Sequence, residues 1–225
     1  MLGVKMLILA IDTSHKNGSV CLARGDGSAF ELIGSAEVDG GMFSAQLVPV
    51  IARLLAQHKF TKNDLQAIAA AVGPGSFTGL RIGLAAVKGF AEVLHIPIAR
   101  VPTLEAVAAI AGSQRDRVLA VLDAGRKEFY VGEYAEGQCV SEKLLTREEF
   151  LTRLTHDRCV VVSPDAAVSE IAQAAGAPFE SVQYPDALII ARLGLEKVAA
   201  GLTTGVDEFD ANYVRRDEGL FSSGK

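Results

Sequence analysis

The sequence predicts an α/β protein made of two tandem lobes, each a mixed sheet flanked by helices. Two observations lead to this prediction. An apolar run ends in Asp12, and a second apolar run ends in Asp123, roughly half a chain later. Each run is followed by a turn, two further strand-like segments and then helices, as in a duplicated lobe. We therefore expect lobes at residues 1–103 and 104–225.

The elements of the first lobe follow from hydrophobic periodicity and turn residues. Residues 6–12 form a nearly continuous apolar run, which is typical of a strand buried on both faces. Thr61 and Asp64 form a short capping box. The other predicted elements are strands at 19–24, 29–38, 66–72 and 98–101, and helices at 42–58, 80–94 and 104–111.

The second lobe repeats this plan. Thr146 and Glu149 form a capping box at the start of a helix that runs to about residue 154, and Ser163-Pro164 opens another helix to residue 175. We expect the last helix, 186–200, to be able to pack back on the first lobe, and the Gly/Ser-rich tail from Tyr213 to be partly ordered. Strands are predicted at 117–123, 128–133, 139–144 and 159–162.

Composition excludes several classes of function. The chain has 225 residues, a net charge of −5 and 49% hydrophobic residues, which is ample for a large core. It has no basic run, so any contact with RNA is expected to be indirect or shared with a partner. Cys21, Cys139 and Cys159 are odd in number and widely spaced, which fits neither a disulfide framework nor a zinc site. We expect a cytoplasmic protein with no membrane segment and no cofactor.

The most distinctive stretch is a glycine loop, Gly73-Pro74-Gly75-Ser76-Phe77-Thr78-Gly79, between a predicted strand and a predicted helix. Two glycines around a proline hold the backbone in one tight shape, and Ser76 or Thr78 can cap the helix. Helix amino termini can cradle phosphate. However, Leu80 and Arg81 stand where a P-loop needs lysine and Ser/Thr, so both a phosphate site and a purely structural loop stay open.

The helix after this loop has two apolar faces. One consists of Leu80, Leu84, Val87, Ala91 and Leu94, and the other of Ile82, Ala86, Phe90 and Val93. One apolar face is enough for the chain's own core. Either the helix is central and buried all round, or its second face contacts another protein.

The duplicated plan, with two RNase H-like lobes, is that of the actin-like ATPases and sugar kinases. In those proteins a carboxylate on the first hairpin of each lobe holds Mg-nucleotide. Here the first hairpin offers Asp12, Thr13 and Ser14 and the second offers Asp123, but few glycines follow to wrap a phosphate. These residues are candidates for nucleotide binding, and the alternative is that they cap hairpin turns.

Three motifs together resemble the TsaB (YeaZ) family. They are Ile11-Asp12-Thr13-Ser14, the glycine loop extended through Leu80-Arg81-Ile82-Gly83, and Asp123-Ala124-Gly125-Arg126-Lys127-Glu128-Phe129-Tyr130. The resemblance runs from Leu7 to Tyr130 and continues more faintly to Tyr213-Val214-Arg215. It implies a bacterial protein required for N6-threonylcarbamoyladenosine at position 37 of tRNAs that read ANN codons.

The resemblance also implies a non-catalytic role. Family members pair with the homologous TsaD transferase, a TsaE ATPase joins the pair, and tRNA is met only through the complex. The first two long helices form the contact with TsaD, or a homodimer contact when TsaD is absent. The residues expected at this interface are Phe43, Leu47, Ile51, Leu54, Leu80, Leu84, Val87, Phe90 and Leu94.

This chain departs from the family in one place and from its catalytic paralogue in another. Phe43-Ser44 stands where members often carry His-Ser. The paralogue binds metal through a pair of histidines, whereas His15, His58, His95 and His156 are too scattered to share an ion, so no metal site is expected. An actin-like ATPase or phosphotransferase that binds Mg-ATP remains the alternative. The old family label of glycoprotease has no protease motif here to support it.

Overall fold

A computed structural model of the chain describes residues 5–26, 28–112, 117–156 and 159–212. The chain divides into two compact units, one of which joins Met1–Ala106 to Tyr184–Asn212, while the other is built on Val107–Gln183. This division differs from lobes at 1–103 and 104–225, because residues 184–212 return to the first unit. The tail predicted from Tyr213 onward lies outside the described residues.

The described residues contain ten strands and six helices. The strands are β1 (Met6–Asp12), β2 (Gly18–Gly25), β3 (Phe30–Val38), β4 (Ala67–Ala71), β5 (Ile98–Val101), β6 (Arg117–Gly125), β7 (Glu128–Ala135), β8 (Gln138–Thr146), β9 (Val160–Ser163) and β10 (Phe179–Ser181). The helices are α1 (Phe43–Gln57), α2 (Phe77–Leu94), α3 (Thr103–Ile110), α4 (Arg147–His156), α5 (Ala166–Ala174) and α6 (Ala187–Ala199). A short 3-10 turn at Lys62–Asp64 precedes β4.

Both units contain a five-stranded mixed sheet of the same design. The first sheet has the order β3-β2-β1-β4-β5 and the second the order β10-β9-β6-β7-β8. In each, the first three strands form an antiparallel meander, and the remaining two run parallel to the first strand. The predicted α/β fold with a repeated RNase H-like lobe is therefore confirmed.

Strands β1 and β4 of the first sheet are buried on both faces, as their apolar runs predict. Helices α1 and α2 cover one face, where Leu9, Ile11 and Ile68 of the sheet pack against Leu47 and Ile51 of α1. Each such side chain stabilises the unit by about 1.5 to 3 kcal/mol through burial. This core accounts for most of the apolar periodicity of the two helices.

Helix α6 covers the opposite face of the first sheet. That face is lined by small side chains, among them Ala10, Ala23 and Ala69, so the helix can approach closely. A Cβ atom at Gly194 would lie 2.3 Å from Cβ of Ala69, which explains the glycine in the middle of α6. Asp186 caps the helix by accepting hydrogen bonds from the amides of Leu188 and Ile189 at 2.9 and 3.2 Å.

In the second unit, α4 and α5 pack on one face of the sheet around Phe150 and Val168. The capping box predicted at the start of α4 is present. The amide of Thr146 donates to Oε2 of Glu149 at 2.6 Å, and the amide of Glu149 donates to Oγ1 of Thr146 at 3.2 Å. The capping box at Thr61 and Asp64 is also present.

Two helix starts and one short strand show the main differences from the prediction. Helix α2 begins at Phe77, inside the glycine loop, instead of at Leu80. Helix α5 begins at Ala166 after an extended Asp165, which follows the Ser163-Pro164 pair that was expected to open it. Strand β10 was not predicted, because three residues are too few to show alternation.

Candidate functional site

The glycine loop connects β4 to α2 and is tied to its surroundings by backbone hydrogen bonds. The Gly73–Pro74 peptide bond is cis. The carbonyl of Gly73 accepts a hydrogen bond from the amide of Thr103 at 2.8 Å. Of the two cap candidates, Ser76 caps the helix, because its hydroxyl accepts a hydrogen bond from the amide of Gly79 at 3.2 Å.

The glycines of the loop pack against the turn that follows β1. A Cβ atom at Gly75 would lie 2.3 Å from the carbonyl oxygen of Ser14, and one at Gly79 would lie 2.1 Å from that of Thr13. The amide of Ser76 donates to the carbonyl of Ser14 at 2.7 Å. The lack of side chains at the glycines lets the loop approach the β1 turn closely, and one loop amide is hydrogen bonded to that turn. Both contacts support the structural interpretation of the motif.

The candidate nucleotide residues on this turn are buried. Asp12, Thr13 and Ser14 are at most 2% exposed. One oxygen of Asp12, Oδ1, accepts hydrogen bonds from the amide and hydroxyl of Ser14 at 2.8 and 2.7 Å. Burial raises the pKa of Asp12, an effect opposed by the charge of His15 and by the Ser14 hydrogen bonds, and reinforced by the charge of Asp186.

Asp123 lies in the second unit, at the hairpin between β6 and β7. It is exposed, its Oδ1 accepts a hydrogen bond from the amide of Gly125 at 2.7 Å, and its own amide donates to Oδ2 of Asp165 at 2.8 Å. Asp123 thus organises a hairpin turn. This is the alternative to nucleotide binding that the sequence left open.

The structure corrects the residues expected at the partner interface. Seven of the nine are buried in the core of the first unit, where they pack α1 and α2 against the sheet. Their side chains are therefore engaged mainly within the unit. The buried residues are Phe43, Leu47, Ile51, Leu54, Leu80, Leu84 and Val87, whereas Phe90 and Leu94 are half-buried at the edge of the same core.

The outward faces of α1 and α2 consist largely of small and apolar residues. Val48, Phe77 and Val93 are 52%, 55% and 64% exposed. A Cβ atom at Gly89 would meet no atom within 4 Å, so the backbone there is open to close approach. The Arg81 guanidinium lies 3.7 Å from the centre of the Phe77 ring. Four exposed alanines, Ala45, Ala52, Ala56 and Ala85, also lie on these two faces.

Sequence reasoning placed only Val93 of this outward face on a possible partner surface, although a signal for the other residues was present. Phe77, Arg81, Ala85, Gly89 and Val93 recur every fourth residue and therefore share one face of α2. The predicted interface consisted mostly of larger apolar side chains, which lie on the inward face. In addition, placing the helix start at Leu80 removed Phe77 from the pattern.

The described residues contain neither a metal-ligand cluster nor a membrane-spanning helix. No group of three or more His, Cys, Asp or Glu side chains in them is arranged to hold a metal ion. Their helices include none with the length and apolar character needed to span a membrane.

Comparisons with known proteins place these features in a family. The model of the family described as "TsaD: tRNA N6-adenosine threonylcarbamoyltransferase" matches residues 41–190. The tRNA threonylcarbamoyladenosine biosynthesis protein TsaB of Bacillus subtilis is 36% identical over 129 residues, which cover 57% of this chain and 55% of that protein. TsaB of Haemophilus influenzae is 26% identical over 229 residues, which cover 94% of each chain.

A solved structure agrees with this assignment. The structure named "YeaZ from Pseudomonas aeruginosa" has a TM-score of 0.74 and 25% sequence identity, and the match covers 92% of this chain and 99% of that one. The chain spans only about half the length of the Bacillus relative in its alignment, although the Haemophilus relative is matched nearly end to end. The chain belongs to the tRNA N6-adenosine threonylcarbamoyltransferase family and, within it, to the TsaB (YeaZ) group.

Proposed function

We propose that this protein is a non-catalytic partner subunit for the formation of N6-threonylcarbamoyladenosine at position 37 of tRNAs that read ANN codons. It acts in the cytoplasm by dimerising with a TsaD-like transferase, and a TsaE-like ATPase joins the pair. The observation that carries this proposal is the pair of adjacent helices, α1 and α2, whose outward faces consist largely of small and apolar residues.

The chemistry of these faces suits a helical partner. Small side chains let the backbones of two helices approach, and the absence of a Cβ at Gly89 favours close contact at that point. Exposed Val48, Phe77 and Val93 supply apolar area that water would otherwise cover. The same surface serves a homodimer when the TsaD-like partner is absent, since a self-complementary patch can pair with its own copy.

The first-hairpin turn supports a role without catalysis. A carboxylate that holds Mg-nucleotide must reach its ligand, whereas Asp12 is 2% exposed and hydrogen bonded to Ser14. The amide of Ser76 is bonded to the carbonyl of Ser14 and so is not offered to a phosphate. The alternative, an ATPase or phosphotransferase that binds Mg-ATP, is therefore less well supported.

Contact with tRNA is proposed to occur only through the complex. The chain carries a net charge of −5 and lacks the clustered lysines and arginines that neutralise phosphates. The TsaD-like partner is then expected to supply most of the RNA-binding surface. Binding of tRNA by this chain alone at physiological salt would contradict this part of the proposal.

The experiment that tests the proposed function is depletion of this protein in its own host. Bulk tRNA is digested to nucleosides, and threonylcarbamoyladenosine is measured by mass spectrometry with another modified nucleoside as the internal control. Loss of threonylcarbamoyladenosine that is restored by the wild-type chain supports the proposal. Unchanged levels after depletion would overturn it. A thermal shift with Mg-ATP that disappears in Asp12→Ala would favour the ATPase instead.

A further inference from the structure

The exposed side of α2 carries two charges of opposite sign, Arg81 and Glu92. The Arg81 guanidinium stacks on the Phe77 ring, 3.7 Å from its centre. Among the described residues, neither Arg81 nor Glu92 forms an ion pair. Lys88, which lies one turn before Glu92, does not pair with it either. Within this part of the structure, both charges are therefore available to a group on another molecule.

The order of these charges is unfavourable for α2 alone. The carboxyl-terminal end of a helix carries a partial negative charge, so basic side chains stabilise it and acidic ones do not. Glu92 lies in the last turn of α2, and that turn contains no basic residue, while the first turn contains no acidic one. A second helix that runs in the opposite direction relieves this mismatch, because its amino-terminal half lies beside Glu92.

The spacing of the two charges makes α2 complementary to an inverted copy of itself. Arg81 and Glu92 are eleven residues apart, which is close to three helical turns, so they lie on the same side of the helix. The point midway between them falls between Ala86 and Val87. If two antiparallel α2 helices cross at this point, Arg81 of each copy lies opposite Glu92 of the other. A twofold axis then generates two identical ion pairs.

The centre of the exposed face is small enough for two helices to meet there. Ala85 is exposed, and a Cβ atom at Gly89 would meet no atom within 4 Å. Small side chains at a crossing allow an interaxial distance of about 8 Å, which an arginine and a glutamate can span together. In this register the half-buried Lys88 lies opposite Ala85 of the other copy, whose small side chain leaves room for it.

We propose that the outward face of α2 binds a second copy of this chain in an antiparallel register, which is fixed by two reciprocal Arg81–Glu92 ion pairs. The inference rests on the proposed role of the α1–α2 surface as a partner interface. It adds the register of the helices and the two residues that select the second copy. Charge pairs across an interface contribute more to the choice of partner than to raw affinity. The two pairs therefore select a helix with this charge order and direction.

The test exchanges the two charges between copies of the full chain. Sedimentation velocity over a concentration series measures self-association. Arg81→Glu and Glu92→Arg should each weaken it by about tenfold or more, because like charges then face one another at both pairs. An equimolar mixture of the two variants should associate about as tightly as the wild type, since each pair again joins an arginine to a glutamate. Both substitutions suit the helix dipole better than the native residues, so α2 should remain folded in circular dichroism.

A matched control removes the effect of net charge. Lys16→Glu makes the same change in charge as Arg81→Glu, at an exposed turn outside α1 and α2, and should leave self-association unchanged. Three results would overturn the proposal: a wild-type chain that stays monomeric throughout the series, an equal loss of association in Lys16→Glu, or a mixture that associates no more tightly than the single variants.

Cysteine cross-linking tests the direction of the two helices. In a Cys139→Ser background, which removes the exposed native thiol, Ala85→Cys lies near the twofold axis and should form a disulfide with its copy on mild oxidation. Thr78→Cys is exposed on the same helix but would lie about 25 Å along the axis from its copy. It should not cross-link. Rapid cross-linking through Thr78→Cys would indicate a parallel pair and contradict the proposed register.

These outcomes are separate from the test of the proposed function. If depletion of the chain abolishes threonylcarbamoyladenosine while the charge variants leave self-association unchanged, only this inference fails. If depletion leaves the nucleoside unchanged while the mixture of variants restores association, the reciprocal pairs hold and the role in tRNA modification fails.

Discussion

A Cβ atom on Gly83 would lie 2.2 Å from Oγ1 of Thr13. The glycine loop contacts the β1 turn as far as Gly79. Gly83, one turn further along α2, extends this contact. Gly79 and Gly83 are four residues apart on α2 and so face the same short segment, which Gly75 meets from the loop before the helix. The glycine-rich motif is explained by this close packing between α2 and the end of β1.

The first prediction concerns this contact. Gly83→Ala should lower the free energy of unfolding by roughly 1 to 3 kcal/mol, because the added methyl group overpacks a closed contact. Thr13→Ala removes the atom that it meets, so the double variant should recover part of the loss. Urea denaturation of the two single variants and the double variant measures this coupling.

Gly89→Ala is the matched control, because it lies on the same helix with no atom within 4 Å of the new Cβ. It should stabilise the isolated chain by about 0.5 to 1 kcal/mol through helix propensity. If Gly83→Ala were equally stabilising, the packing explanation of the motif would be wrong.

The second prediction separates the two sides of α2. Leu84 is buried and Val93 is 64% exposed. Leu84→Asp buries an unpaired charge and should destabilise the chain by more than about 4 kcal/mol. Val93→Asp should change stability by less than about 0.5 kcal/mol, yet prevent co-purification with the TsaD-like partner. Circular dichroism and pull-down of the two variants provide the readouts.

A control for this surface is an acidic substitution at an exposed apolar residue outside α1 and α2. Leu202 is 65% exposed and lies after α6, away from both partner helices in sequence. Leu202→Asp should leave the complex intact. Retention of the complex by Val93→Asp, with the fold preserved, would exclude this end of the outward face from the interface.

The third prediction uses the buried carboxyl group of Asp12. Burial raises its pKa, so the folded chain holds this proton more tightly than the unfolded chain does. Protonation of Asp12 therefore adds to the free energy of unfolding. This contribution is at its full value below the unfolded-state pKa of about 3.9, and it is lost as the pH rises through the higher folded-state pKa. Asp12→Asn keeps an oxygen that can accept both Ser14 hydrogen bonds and removes this titration.

The difference in unfolding free energy, Asp12→Asn minus wild type, should therefore increase from pH 4 to pH 8. Urea denaturation at each pH measures it. The charge of His15 stabilises the ionised carboxylate and so lowers the pKa of Asp12. In a His15→Gln background, the effect of Asp12→Asn on the free energy of unfolding should therefore change more between pH 4 and pH 6. A difference that does not change with pH would show that Asp12 does not titrate in this range.

The fourth prediction concerns the cysteines. Cys139 is exposed, whereas Cys21 and Cys159 are buried. Burial, with a further contribution from the charge of Asp186, raises the pKa of Cys21 to about 12. Since the thiolate is the reactive form, a thiol reagent at pH 8 should label one cysteine quickly in the native chain. Cys139→Ser should remove that fast phase, and labelling of Cys21 at the same rate would contradict the burial.

Much of the fold could be predicted because local signals agreed with one another. The apolar run before Asp12 reads as a strand buried on both faces, and the same pattern before Asp123 identifies the duplication. The capping boxes at Thr61 and Thr146 depend only on residues three positions apart. Such features are set by neighbours in sequence, so a single sequence is enough to find them.

The candidate surface was harder to predict, because amphipathicity does not say which side of a helix meets the sheet. Leu84 and Val93 are both apolar, and only the packed structure shows that the first lies inward.

The return of α6 to the first sheet has a consequence for biosynthesis. Its Gly194 lies on Ala69, so the face formed by β1, β2 and β4 stays uncovered until the ribosome has released residues up to about 200. The continuous segment Val107–Gln183 can fold earlier, during translation. A nascent chain stalled so that residues up to 183 have left the ribosome, while α6 has not, should therefore show protease protection of Val107–Gln183 before that of the first unit.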